Sequence, residues 1–407
     1  MNSKIFQIAL GILAAIGGFV DIGDIVFASQ SGAAYGYGLI WAVLVGVIGI
    51  ATFAEMSGRV AIASQRPVFA VVRQRLGFGA GLITLIASQV VNLLTLTAEI
   101  GGIAIVLNLF FEVTYSTFIP IAVIALAIII WVTPFEWIEK LFGYIGLAML
   151  VFLVSAIHLH PDWSAIGHGA IPHGHSTALY WYFAVGLIAA GLMPYEVYFY
   201  SSGAIEERWK TKDLGINRAN ALLGFGLGGL LSISLIVLAA EVFHPLGVQP
   251  SFLATPILSA GVAFGEIGIV IAMVGVLFAV GGAAIDSCFS GAYNMAQFLG
   301  WEWGKYRKAA GAPRFTISWM VMLALAFVIV STGVDPVAVT EYSVIFSVFA
   351  LPLTYFPLLL IARDKTFMGK HANGPLATFM GWLYFLVIIV AAVAAVPLMF
   401  ITNVGAG

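Results

Sequence analysis

Apolar residues dominate this chain in long runs, and short polar segments separate the runs. Stretches of about 20 apolar residues, the length that spans ~30 Å of hydrocarbon, can be placed about eleven times along the 407 residues. The predicted spans are 7–28, 37–58, 79–110, 117–134, 141–158, 178–201, 219–242, 261–299, 313–332, 337–362 and 376–402. The pattern predicts an all-α polytopic membrane protein whose residues 1–407 form one transmembrane domain.

Composition supports this class and argues against several others. The chain is 61% hydrophobic and only 9% charged, whereas soluble domains carry about 25% charged residues. A net charge of −2 gives no nucleic-acid signal, and one cysteine, Cys288, leaves no disulfide within the chain. No nucleophile–base constellation or cofactor motif appears, so an enzyme is the least favoured class and no resident cofactor is expected. No obligate protein partner is evident, and the lipid bilayer is an expected partner.

Basic residues predict the orientation. All 17 lysines and arginines fall on one side of the membrane if the N-terminus is cytoplasmic. Cytoplasmic loops carry the excess of Lys and Arg in membrane proteins. We therefore expect a multi-pass protein of the cell (inner) membrane with its N-terminus inside and its C-terminus outside.

Two of the predicted spans are interrupted. The first contains Val20-Asp21-Ile22-Gly23-Asp24, and the sixth contains Gly191-Leu192-Met193-Pro194-Tyr195-Glu196. Charges at membrane depth are costly and usually face a cavity or pathway, and paired broken helices indicate a transporter's central site. Because the breaks lie five spans apart, the halves have opposite orientation. The sequence predicts an inverted repeat of five plus five helices, roughly 7–158 and 178–362, with an extra helix at 376–402.

The side chains of the two breaks favour a cation. Asp21, Asp24 and Glu196 contribute only negative charge, and neither break contains Lys, Arg or His. Carboxylate oxygens suit Mg²⁺, Mn²⁺ or Ca²⁺, whereas a thioether such as that of Met193 suits Mn²⁺, Fe²⁺ or heavier metals. Met193 has a second interpretation, since methionine also fills gaps between packed helices.

These motifs carry a resemblance to a known family. Asp21-Ile22-Gly23-Asp24 resembles the Asp-Pro-Gly-Asn motif, and Met193-Pro194-Tyr195-Glu196 the Met-Pro-His-Asn motif, of the natural-resistance-associated macrophage protein family of divalent-metal transporters. Leu351-Pro352 and the segment 364–369 resemble that family's tenth helix and following loop. The resemblance implies eleven helices in the leucine-transporter-like arrangement. It also implies that Asp21, Asp24, Met193 and the Ala190 carbonyl are metal ligands.

The departures from the family pattern concern proton coupling. The family's histidine is Tyr195 here, its asparagine is Glu196, and Leu96 replaces the aspartate that precedes the family's glutamate, which is Glu99. Neither Tyr nor Leu titrates near neutral pH. Family-style proton coupling is therefore in doubt, with Glu99 or Glu196 as candidates for a different path. With its extra acids, the chain also resembles related magnesium transporters. The thioether of Met193 makes Mn²⁺ slightly more favoured than Mg²⁺ as the substrate.

Two further polar features have open interpretations. Asp286 on the eighth span is a candidate for holding a coupling ion, and a helix-packing hydrogen bond is an equal alternative. Five of the seven histidines lie in one stretch that is predicted to be outside the membrane: His158, His160, His168, His173 and His175. This stretch is either a solvated polar loop or a site that gathers metal ions at the outer mouth.

The sequence thus leaves two main functions. The first is a secondary transporter that moves Mn²⁺, Fe²⁺ or Mg²⁺ by alternating access. The alternative is a cation-coupled carrier of a small organic solute on the same fold, in which the acids hold Na⁺ or H⁺. A non-transporting sensor is a weaker third, because no soluble signalling domain is appended.

Overall fold

The computed structural model describes residues 20–111, 113–250, 253–304 and 307–402, apart from the side chains of residues 135, 136 and 139. Every regular element in these ranges is helical. The α-helices are α1 Ile22–Tyr35, α2 Ile40–Ser64, α3 Val68–Phe111, α4 Tyr115–Val132, α5 Phe135–Gly146, α6 Leu150–His158, α7 Trp163–Gly169, α8 Ala178–Ala190, α9 Pro194–Glu206, α10 Leu214–Val242, α11 Ala254–Ser259, α12 Gly261–Leu299, α13 Pro313–Val330, α14 Pro336–Arg363, α15 Lys365–Met368 and α16 Pro375–Thr402.

The helices confirm the predicted all-α membrane class. Within the described ranges, ten spans are long and apolar enough to cross a membrane. They correspond to the second through eleventh predicted spans, with α8 and α9 together forming the sixth. Residues 7–19 of the first predicted span lie outside the described residues, and α1 forms its second half together with residues beyond it.

Two long helices are interrupted by glycine. Gly77 in α3 has φ 82° and ψ 173°, and Gly265 in α12 has φ 60° and ψ −148°. Glycine tolerates such positive φ values because it lacks a Cβ atom. The interruption of α3 separates a segment containing Arg73 and Arg75 from the membrane-spanning part. The predicted start of this span near residue 79 is close to that point.

The central helices pack extensively against one another. α3 packs against α12 and α14, and α10 packs against α1 and α2. Only 17% of the most apolar window of α16 is buried, and 28% of that of α4. These two helices therefore lie at the periphery, where their side chains face lipid.

A partly buried ion pair joins several elements at the end of the bundle that carries most arginines, here called the basic end. Arg59 in α2 pairs with Glu55 at 3.0 Å and donates to the carbonyl of His371 and to Oδ1 of Asn373, each at 2.7 Å. Arg218 in α10 approaches the same Glu55 carboxylate at 3.7 Å. The pair thus connects α2 to α10 and to the segment that precedes α16.

Candidate metal site between the broken helices

Asp21 is the N-cap residue that precedes α1, and it presents a carboxylate to the first turn of that helix. Its backbone is extended (φ −92°, ψ 179°), and its Oδ1 accepts a hydrogen bond from the backbone N–H of Asp24 at 2.9 Å. A carboxylate in this N-cap position satisfies a free helical N–H and interacts favourably with the helix dipole. Asp21 is 1% exposed and Asp24 2%. The predicted interruption of the first span is therefore a helix start with two buried acids.

Two distant helices complete the surroundings of this helix start. Glu99 of α3 accepts a hydrogen bond from the backbone N–H of Ile22 at 3.1 Å. Ser232 of α10 donates to Oδ1 of Asp24 at 3.1 Å. Glu99 was expected near the pathway, but Ser232 was not selected from the sequence. Its only signal there is a hydroxyl, shared with Ser234, in an otherwise apolar run of α10.

The second break follows from Pro194. An α-helical carbonyl accepts from the N–H four residues later, and for Ala190 that residue is Pro194, which has no N–H. Helix α8 therefore ends at Ala190, and α9 begins again with Pro194 in its first turn. Met193 precedes α9 with φ −56° and ψ 125° and is 1% exposed. The Ala190 carbonyl therefore lacks its helical hydrogen-bond donor. A carbonyl in this state is available to bind a cation.

Glu196 lies in the first turn of α9, close to the acids of α1. Its carboxylate interacts electrostatically with those of Asp21, Asp24 and Asp286. The neighbouring Tyr195 interacts with Asp21, Glu99 and Asp286. Tyr195 is fully buried, and its backbone carbonyl accepts from Ser290 of α12 at 3.2 Å. The structure therefore brings together the acids predicted from both breaks, with Asp286 at their margin.

The most informative property of this cluster is its unpaired oxygen atoms. Five buried carboxylate oxygens have no hydrogen-bond partner: Oδ2 of Asp21, Oδ2 of Asp24, Oε2 of Glu99 and both oxygens of Glu196. No ion pair among the described residues includes any of these four side chains. Burying unpaired carboxylates is unfavourable unless a counter-charge compensates. The arrangement is suited to a cation.

The carboxylates do not form a ready-made cage. Among the described residues, no three side chains of the His, Cys, Asp or Glu types are placed to hold one metal ion together. A cation bound here would need neutral ligands in addition to carboxylates. The Ala190 carbonyl and the Met193 sulfur lie on the neighbouring break and are candidates of that kind.

Aromatic side chains separate this site from the basic end. The rings of Phe53 and Tyr355 lie 4.3 Å apart, and those of Phe69 and Tyr198 lie 4.4 Å apart. The Tyr355 hydroxyl donates to the carbonyl of Leu192, within the second break, at 2.9 Å. Exposure of the site's four acids does not exceed 8%. The site is therefore closed from the basic end in this conformation.

The opposite end carries the predicted histidine-rich segment, part of which is the short helix α7. A cavity of about 590 Å³ there is lined by His168, His173 and Tyr37 among others. Burial and the neighbouring Glu241 carboxylate, which accepts from its hydroxyl, raise the pKa of Tyr37. His173 contacts the carbonyl of Ile171 at 3.0 Å. The proposed collection of metal ions by these histidines stays a prediction.

Comparison with known proteins identifies the family. A family model described as natural resistance-associated macrophage protein-like matches residues 11–397. The chain belongs to this family. The prediction from the motifs at the two breaks is thereby confirmed, and the NRAMP-like match extends over nearly the whole sequence.

Similar sequences within the NRAMP-like family carry transporter names. The divalent metal cation transporter MntH of Deinococcus radiodurans is 26% identical over 396 residues, covering 93% of this chain and 86% of the relative. MntH of Ralstonia nicotianae is 25% identical over 404 residues, covering 94% and 88%.

Solved structures confirm the fold. The manganese transporter of Eremococcus coleocola, crystallised with an aromatic bis-isothiourea substituted compound, superposes with a TM-score of 0.76 at 20% identity, covering 98% of this chain and 87% of that one. MhsT in complex with L-phenylalanine gives a TM-score of 0.65 at 13% identity, covering 94% and 98%. The leucine-transporter-like arrangement predicted from the sequence is present.

Proposed function

We propose that this protein is a secondary transporter that moves a divalent metal cation across the membrane by alternating access. The observation that carries the proposal is the group of five unpartnered carboxylate oxygens buried between α1, α3 and α9. Monovalent charge compensation would leave most of this negative charge unbalanced. A divalent ion compensates more of it, and hard oxygen ligands bind Mg²⁺, Mn²⁺ and Ca²⁺.

Each predicted residue has a proposed role. Asp21 and Asp24 supply carboxylate ligands, while the Ala190 carbonyl and the Met193 thioether complete the coordination. Glu196 adds negative charge from the first turn of α9. Glu99 holds the start of α1 through its bond with the Ile22 amide, so its contribution is to position the aspartates.

The choice among divalent ions depends on Met193. Mg²⁺ takes oxygen ligands and retains several waters, and a thioether offers it nothing by direct contact. Mn²⁺ and Fe²⁺ accept softer ligands. The related proteins named above as MntH and as a manganese transporter agree with this choice. We propose Mn²⁺ or Fe²⁺ as the preferred substrate, with Mg²⁺ second.

Alternating access requires each side to open in turn. On the basic end, the pairs Phe53–Tyr355 and Phe69–Tyr198 would separate. At the opposite end of the bundle, which carries the histidine-rich segment, α1 and α14 are linked by a 3.4 Å hydrogen bond from Gln30 to Glu341. By the positive-inside rule the basic end is cytoplasmic. The conformation described here is closed at the site, between these two states.

Uptake by purified protein in liposomes tests the proposal. Mn²⁺, Mg²⁺ and Ca²⁺ are offered separately, with a metal-sensitive dye trapped inside and protein-free liposomes as the control. Mn²⁺ uptake that exceeds uptake of the other two ions supports both the class and the selectivity. Preferred Mg²⁺ uptake would overturn the role of Met193 but retain divalent transport. No uptake of any of these ions would reject the proposal and favour the organic-solute carrier.

A further inference from the structure

A cavity of about 260 Å³ lies at the basic end, between α2, α10 and the start of α16. Three cationic side chains line it, those of Arg59, Arg218 and Lys370, together with one carboxylate, that of Glu55. The lining therefore carries a surplus of positive charge. One water molecule takes up about 30 Å³ in the liquid, so the cavity has room for a group of the size of phosphate. We call this cavity the basic pocket.

The three cations of the basic pocket differ in how firmly the protein holds them. Arg59 is buried and paired with Glu55 at 3.0 Å, so it provides a fixed positive charge. Arg218 approaches the same carboxylate only at 3.7 Å, and its side chain is 68% exposed. Lys370 is exposed, and no ion pair among the described residues includes it. Arg218 and Lys370 can therefore donate to an anion without losing a close partner.

The first turn of α16 adds to the positive potential of the basic pocket. This helix begins at Pro375, and Gly374 and Ala377 line the pocket. The first turn of a helix has backbone N–H groups without intrahelical partners and a partial positive charge. A Cβ atom added at Gly374 would meet nothing within 4 Å, so there is open space beside this turn. Side chains and backbone thus favour the same class of ligand, an anion such as phosphate.

Exposed apolar side chains lie on the same helices as the basic pocket. Leu222 follows Arg218 by one turn of α10, on the same face, and is 65% exposed. Leu376 at the start of α16 is 74% exposed, and Phe379 one turn further is also exposed. A free phosphate ion would leave this apolar surface uncovered, whereas the acyl chains of a lipid would pack against it. Basic pockets between membrane helices are known to bind phospholipid headgroups.

We propose that the basic pocket binds the phosphate headgroup of an anionic phospholipid from the membrane leaflet at the basic end. Arg218 and Lys370 donate to the phosphate, Arg59 supplies fixed charge, and the acyl chains lie along the exposed apolar faces of α10 and α16. Such a lipid contacts α2, α10 and α16 together, so its binding stabilises their arrangement. The pocket is separate from the metal site, and the inference does not depend on metal transport.

Thermal unfolding of the delipidated protein in detergent tests this site. The unfolding temperature is measured while phosphatidylglycerol, phosphatidylcholine or inorganic phosphate is titrated in. Phosphatidylglycerol should raise it most, because only this probe combines net negative charge with acyl chains. In the double variant Arg218→Gln/Lys370→Gln, about 30-fold more phosphatidylglycerol should be needed for the same rise. This value follows from about a five-fold change in affinity for each basic residue near an anionic lipid.

The matched control is the double variant Arg307→Gln/Lys365→Gln. Both residues are exposed at the basic end and lie outside the lining of the pocket. This control removes the same charge and should leave the lipid dependence unchanged. Equal weakening in the two double variants would show unspecific attraction to a basic surface and overturn the proposal. Equal stabilisation of the unaltered protein by phosphatidylcholine, or by inorganic phosphate, would also overturn it, since the site would then not select an anionic lipid.

A second measurement keeps all the basic side chains in place. In a Cys288→Ala background, Gly374→Cys introduces a thiol at the pocket, and Gly311→Cys introduces one at an exposed position outside it. At neither glycine does an added Cβ atom meet anything within 4 Å. Phosphatidylglycerol, but not phosphatidylcholine, should slow the reaction of position 374 with a maleimide several-fold and leave position 311 unchanged. An unchanged rate at position 374 would show that no lipid occupies the pocket and would overturn the proposal.

Discussion

The backbone amide of Ile22 donates a hydrogen bond to the carboxylate of Glu99 at 3.1 Å, across 77 residues of sequence. This bond ties the start of α1 to the middle of α3. Since Asp21 and Asp24 lie on either side of Ile22, the bond fixes the segment that presents both aspartates. Glu99 retains one unpartnered oxygen on the same site. The glutamate thus both orients the site and adds to its negative charge.

Removing the charge of Asp21 should abolish metal uptake. Asparagine keeps the volume and the ability to cap α1, so Asp21→Asn isolates the loss of an anionic ligand. The measurement is Mn²⁺ uptake in liposomes. Asp162→Asn is the matched control, because Asp162 caps α7 through a 2.8 Å bond to the Ser164 amide but lies on an exposed segment. Normal uptake by Asp21→Asn would show that this carboxylate is not a ligand.

Removing the sulfur of Met193 should change selectivity. We expect Met193→Ala to weaken Mn²⁺ uptake relative to Mg²⁺ or Ca²⁺ uptake, since only the softer ion gains from a thioether. Met193→Leu keeps most of the volume and serves to separate coordination from packing. Recovery of the original selectivity by leucine would mean that Met193 only fills space.

Loss of the Ser232 hydroxyl should lower the apparent affinity for Mn²⁺. Ser232 orients Asp24 through a 3.1 Å bond, and removing a group that orients a metal ligand typically weakens metal affinity about 10-fold or more. The concentration dependence of Mn²⁺ uptake by Ser232→Ala gives this effect. Ser234→Ala is the control, because Ser234 is buried in the same helix but bonds only to the Leu231 carbonyl at 2.6 Å. Equal effects of the two substitutions would contradict the orienting role.

Gly23 should not accept a side chain. A Cβ atom there would lie 2.9 Å from Oδ1 of Asp21 and 3.1 Å from Cγ2 of Val344. We expect Gly23→Ala to displace the Asp21 carboxylate and reduce Mn²⁺ uptake strongly. Gly226→Ala in α10 is the comparison, because a Cβ atom there meets nothing within 4 Å. Full uptake by Gly23→Ala would show that the first turn of α1 tolerates displacement of this carboxylate.

The buried Arg59 should contribute strongly to stability. Arg59→Met leaves the partly exposed Glu55 carboxylate with only the more distant Arg218. We therefore expect a loss of unfolding free energy above that of an exposed pair but below the value of about 3–5 kcal/mol for a fully buried one. Thermal unfolding in detergent measures the effect. Arg307→Met removes an exposed pair with Glu302, for which we expect a loss of at most about 1 kcal/mol. Similar unfolding temperatures for the two variants would contradict the structural role of Arg59.

The sequence predicted where the two helices are interrupted. Proline interrupts a helix where it removes an N–H that the helix needs. The interruption after Ala190 was therefore predictable from Pro194. Asp21 was recognisable as a polar residue inside an apolar run. The glycine interruption at Gly77 and the helix α7 within the histidine-rich segment were not predicted, because both lie where the apolar pattern is weak.

The tertiary structure decided which of these groups meet. In a membrane protein, apolar residues face lipid and the protein interior alike, so the hydrophobic pattern does not show which face of a helix is buried. The pairing of Ser232 with Asp24 across 208 residues therefore has no counterpart in the sequence pattern. The same holds for the hydrogen bond that Asn294 of α12 donates to Ser88 of α3 at 2.9 Å.

The sequence by itself determined the membrane class, the spans from the second onward, the acidic breaks and the family. These properties depend on composition and on residues that act locally, such as proline, glycine and aspartate. Only the tertiary structure decided that four acids with five unpaired oxygens are buried around the two breaks and that Ser232 orients one of them. Such relationships arise from helix packing, which brings together residues that no local pattern connects.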